Sequence, residues 1–184
     1  MRAIPLLALP FVVASISPAL AQATVEFPAR RTGQWEIRMG AAQVPGMPEM
    51  VVKTCVDPAS DRQMMQAGMN MLAQNCEKRD MRRDASGIVI DSICQMGPMR
   101  ITSSTVISGD FQASYSVRSS ATVQTPNQPN PQTTTTVQEA RWAGATCTDG
   151  MVPGDILMPG GQKMNIRSLP GMAPGQQQPA TPTR

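Results

Sequence analysis

The 184-residue sequence predicts a mainly β, α+β domain: an antiparallel meander of about seven strands, able to curl into a half-closed barrel, with one helix inserted after the second strand. Three observations point there. Short segments alternate apolar and polar residues with period two, the mark of strands that bury one face. Clusters of Gly, Pro, Asn and Asp punctuate them as turns. A longer segment after Asp57 carries helix-start chemistry followed by apolar residues at helical spacing.

The first strand opens at Gly33, where Trp35, Ile37 and Met39 alternate with Gln34, Glu36 and Arg38. Pro45-Gly46-Met47-Pro48 makes a turn, and valine-rich Met50 to Cys55 follows as the second strand. Asp57-Pro58 reads as an N-cap with proline at the first helical position, and Asp61 adds negative charge to the first turn. The helix is expected to run to about Ala73 with Met65, Met69 and Leu72 as its apolar stripe, weakened by Gly68.

Strands resume from Cys76 to Arg83, turn over Asp84 to Gly87, and return from Ile88 to Cys94. Met99 to Ile107 and Phe111 to Arg118 flank Gly109-Asp110, which suits a two-residue hairpin with glycine first. A loop from Gln124 to Pro131 leads to a last strand over Thr133 to Trp142. Beyond Cys147 the chain is rich in Gly, Pro, Gln and Met, so 150–184 is expected to be a largely disordered tail, with the apolar run Met151 to Met158 able to dock on the body. The leader is 22–32 and the domain 33–149.

The N-terminus reads as a secretory signal peptide over residues 1–21. Arg2 precedes an apolar stretch from Ile4 to Leu20, and Ala19-Leu20-Ala21 offers a small-x-small cleavage site. Its prolines and serines argue against a retained anchor, which needs about 20 predominantly apolar residues. No cysteine follows the cleavage point to carry a lipid, and no later segment is apolar for long enough to span a bilayer. The protein is therefore expected in the periplasm, or secreted.

Export changes how Cys55, Cys76, Cys94 and Cys147 are read. No C-x-x-C pair occurs among them, and in an oxidising compartment an even count reads as disulfides. Cys76 and Cys94 flank one hairpin and so share an end of the sheet, while three further strands carry the chain to Cys147 at the other end. A helix of roughly 15 residues at 1.5 Å each can take the chain from the Cys55 end to the Cys76 end. The count favours Cys55 with Cys147 and Cys76 with Cys94.

The order of motifs resembles the bacterial exported family catalogued as domain of unknown function 3617. The motifs are Gly33-Gln34-Trp35-Glu36-Ile37, Cys55-Val56-Asp57-Pro58, Cys76, Cys94, Ser108-Gly109-Asp110-Phe111 and Trp142-Ala143-Gly144-Ala145-Thr146-Cys147. The resemblance covers Gly33 to Cys147 and implies a periplasmic, disulfide-bonded, β-rich domain. It carries no assigned activity or catalytic residues.

Composition narrows the function. A formal charge of +3 with two Trp, one Tyr and three Phe is a poor footprint for nucleic acid. The sequence has no histidine, which removes Ser-His-Asp and Cys-His nucleophiles, imidazole bases and the commonest zinc and haem ligand. Asp57, Asp61, Asp80, Asp84, Asp91, Asp110, Asp149 and Asp155 sit where a cap, turn or strand edge explains each, and Gly160-Gly161-Gln162-Lys163 reads as a turn rather than a phosphate loop.

The positive anomaly is 15 methionines. Met47 and Met50, and Met96 and Met99, form M-x-x-M pairs whose thioethers suit Cu(I), although methionine at helical spacing more often fills a core. The sequence thus predicts a non-enzymatic module that binds an envelope protein or a small apolar ligand, with no cofactor. The alternatives are a methionine-based Cu(I) or oxidant-buffering protein and, third, a carboxylate enzyme.

Overall fold

The computed structural model describes residues 25–41, 49–126 and 128–168. The signal segment, the Pro45–Pro48 turn and residues 169–184 of the expected tail lie outside the described residues. One antiparallel sheet holds nine strands: β1 (Gly33–Ala41), β2 (Met50–Val56), β3 (Cys76–Asp84), β4 (Gly87–Met96), β5 (Met99–Gly109), β6 (Ser114–Gln124), β7 (Gln132–Gly144), β8 (Asp155–Leu157) and β9 (Lys163–Asn165). Helix α1 (Pro58–Asn75) connects β2 to β3.

The spatial order is β3-β4-β5-β6-β7-β1-β2-β8-β9. Strands β3 to β7 form the expected meander, and β1 closes onto β7. The sheet is not closed: β2 pairs with β8 rather than β3, and α1 carries the chain to the far edge, touching β2, β3 and β4 on the way. Both disulfides pair as the strand count requires. Cys76–Cys94 staples the end where β3 begins, and Cys55–Cys147 the opposite end, with a Cα separation of 5.8 Å.

Alternation places Trp35, Val56, Ala140 and Tyr115 on the face that α1 covers, and there they form the core with Ile37, Met64 and Trp142. The Asp57 carboxylate accepts from Ser60 N–H at 2.7 Å while the Ser60 hydroxyl accepts from Asp57 N–H at 2.9 Å, a reciprocal cap. The helix buries Ser60, Asp61 and Ala67 most deeply. The expected stripe of Met65, Met69 and Leu72 is only half-buried, because the sheet meets the helix one position over, at Met64.

Two expectations need correction. The loop after Gly109 is not a two-residue hairpin: β6 starts at Ser114, and the Asp110 carboxylate accepts backbone N–H groups of Gln112, Ala113 and Ser114 at 2.8–3.1 Å. Phe111 stands in that loop at φ 60°, buried and stacked on Tyr115 with centroids 5.1 Å apart. Its alternation with Tyr115 reflected a shared core, not a shared strand.

The described residues hold nine strands rather than about seven, because β8 and β9 lie in the segment expected to be tail. They are pinned by Gly154 N–H donating to the Cys55 carbonyl at 2.8 Å and by burial of Met151 and Ile166. The leader is also structural. Arg30 reaches between α1 and β6, its Nε 2.6 Å from Asp61 Oδ1 and its guanidinium near Met64 Sδ and the Tyr115 hydroxyl.

Candidate functional site

The face of β3–β6 opposite α1 carries a shallow trough of about 370 Å³. Register builds it. Asp91 lies opposite Ser104 and Ser104 opposite Ser120, while Lys78 lies opposite Ile93, Ile93 opposite Thr102 and Thr102 opposite Thr122. All point to one side because strand side chains alternate. Ser92 and Ser103 also line it. Their hydroxyls bond each other at 2.8 Å across β4 and β5; by alternation these face the helix side, so backbone is what they offer the trough. The irregularity between Cys76 and Lys78 shifts Lys78 into line with Ile93.

Charge in the trough is uneven. Asp91 is ion-paired with Arg82, and the Ser104 hydroxyl followed by that guanidinium holds its carboxyl below the usual carboxylate range. Arg82 also lies within 4.0 Å of Asp80 and Asp84. Lys78 makes no ion pair among the described residues. The trough therefore carries four hydroxyls, of which Ser104 already bonds Asp91 and Thr122 bonds Thr133 at 2.8 Å, with one ammonium and a carboxylate already engaged.

The sequence-derived candidates fall elsewhere. Met96 and Met99 are register partners at the β4–β5 turn. Met50 pairs with Met39 of β1, with β6, β7 and β1 between it and β5, so the structure does not gather these three; Met47 lies outside the described residues. Met50, Met71 and Met96 are 48, 64 and 51% exposed. Five of the acids are dispersed: Asp57 caps α1, Asp61 holds Arg30, Asp110 holds its loop, Asp149 pairs with Lys53 at 3.0 Å, and Asp155 accepts from Val152 N–H and Asn165. Asp80, Asp84 and Asp91 instead converge on Arg82, with Asp80 directly opposite Asp91 on β3 and β4. Among the described residues no group of three or more His, Cys, Asp or Glu is placed to hold a metal ion. No described helix is long and apolar enough to cross a membrane.

Sequence reading missed the trough. Its signal is the hydroxyl-rich tracts 102–105, 119–122 and 133–136, which register lays side by side. The alternation test marks these only as solvent faces.

Among the described residues, fold and staples define a class: a β-rich domain made of one open sheet, one α-helix and two disulfides. More narrowly, the chain belongs to the family described as Protein of unknown function (DUF3617), whose model matches residues 30–147. The match begins at Arg30, the residue that ties the leader to the helix. No curated protein and no solved structure matches the chain.

Proposed function

We propose that this protein is a non-enzymatic binding module of the cell envelope that holds its ligand on the solvent face of β3–β6. The observation that carries the reading is the trough, a concave surface on hydrogen-bonded strands stapled at one end by Cys76–Cys94. A site on rigid strands keeps its groups in place without a ligand, which lowers the cost of binding. The two disulfides support an oxidising compartment, as the signal-like N-terminus does. The carboxylate-enzyme reading draws little support, because the acids that do converge, Asp80, Asp84 and Asp91, are bridged by Arg82 and the others each have a separate local partner.

The ligand's chemistry departs from the apolar one the sequence suggests: Ile93 is the sole large apolar side chain in a lining otherwise made of hydroxyls and charge. A fragment screen by amide chemical shifts on the mature protein tests the function without assuming a ligand. Polar fragments should perturb Lys78, Ile93, Thr102 and Ser120, and filling the trough with Ser120→Phe should remove the response. Hits scattered over the surface, or unchanged in the filled variant, would defeat the reading.

A further inference from the structure

The trough's chemistry specifies a class of ligand, on the premise that this face is the binding surface. We propose that it is a saccharide site that takes a polyhydroxylated sugar bearing a carboxylate. Thr102 and Thr122 are cross-strand partners, as are Ser104 and Ser120, so their hydroxyls stand on a lattice set by a strand spacing of about 4.8 Å. A hydroxyl donates once and accepts twice. A ligand that satisfies several at once must itself offer both roles at similar intervals, as sugar hydroxyls do. Ile93 and the threonine methyls supply apolar surface for the C–H face of a pyranose ring.

The charge selects further. Asp91 is spent on Arg82 and Ser104, while Lys78 brings three donors and no ion-pair partner among the described residues. Arg82 is shared among Asp80, Asp84 and Asp91, and Lys78 acts on Asp91 only through space, so Lys78 is the cation left to take an anion beside a run of hydroxyls. A nucleotide fits less well, since bases bind through aromatic stacking and the lining holds no aromatic side chain. Without a ring to stack on, and with the trough open to water, the complex is weak, in the millimolar to high-micromolar range.

Trigalacturonic acid and its methyl ester separate the parts of this proposal, because the ester keeps the remaining hydroxyls and removes the charge. Titrated into the mature protein at low salt, the acid should bind about tenfold more tightly than the ester, a difference of about 1.4 kcal/mol. Lys78→Gln should bring the acid down to the level of the ester. Ser120→Val combined with Thr122→Val should weaken both several-fold, with circular dichroism unchanged. Absence of binding by either sugar, or an acid preference that survives Lys78→Gln, overturns the saccharide assignment. If fragments still cluster in the trough under that outcome, the binding function stands and only the ligand class falls; if they do not, both fall.

Discussion

Arg30 shows what a single residue does here that its sequence context conceals. In the sequence it is one basic residue in a polar leader. In the fold its backbone N–H and its Nε both donate to Asp61, at 2.9 and 2.6 Å, with the two side chains 12 and 9% exposed. Removing one member of a largely buried pair strands the other charge, which typically costs 3–5 kcal/mol. Arg30→Gln should therefore lower the unfolding free energy by about 3 kcal/mol. Adding Asp61→Asn should recover part of that loss in a urea titration, and a double variant no better than the single would refute the pairing. Neither partner was legible beforehand, since Asp61 at a helix start already had a local explanation and Arg30 had no pattern around it.

At the scale of elements, legibility followed periodicity. Strands β1 to β5 and the helix were readable because alternation, valine runs and the Asp57-Pro58 cap each state a local preference that the fold keeps. The loop at Asp110 to Ala113 was not, because its conformation answers to Phe111 packing on Tyr115 across the turn. Likewise β8 and β9 are three residues each, too short for a period, and depend on the β2 edge for partners.

The cap at Asp57 makes a pH prediction. The Ser60 backbone N–H, then its hydroxyl, and Arg167 at longer range hold this carboxyl below the usual range, so the folded state binds its proton less readily than the unfolded state does. Its contribution is present above the unfolded pKa of about 4 and is lost as pH falls through the lower folded value. Asp57→Ala should cost about 1 kcal/mol at neutral pH and flatten the acid limb of the stability profile below pH ~4. An unchanged limb would mean that the cap contributes nothing there.

For the whole molecule, the open sheet, whose edges are β3 and β9, raises the question of what keeps β2 and β3 in relation, since no hydrogen bonds join them. Helix α1 is the connection, and each disulfide fixes one of its ends: Cys55 precedes the helix and Cys76 follows it. The pairing was legible because it depends only on strand parity, which the two extra strands beyond Cys147 leave untouched. The two staples should not be equal. Cys55–Cys147 spans 92 residues and Cys76–Cys94 spans 18. If chain entropy of the unfolded state dominates, the longer loop stabilises by about 4.6 kcal/mol and the shorter by about 3.2.

Removing Cys55 and Cys147 together should thus lower stability by more than removing Cys76 and Cys94, by roughly 1.4 kcal/mol in denaturant unfolding. Loss of the shorter staple should instead act locally, raising amide exchange at the β3–β4 end beside the trough, because it releases the edge strand that carries Lys78. The opposite ranking, with faster exchange spread evenly over the sheet, would show that the helix rather than the disulfides holds β2 and β3 in relation.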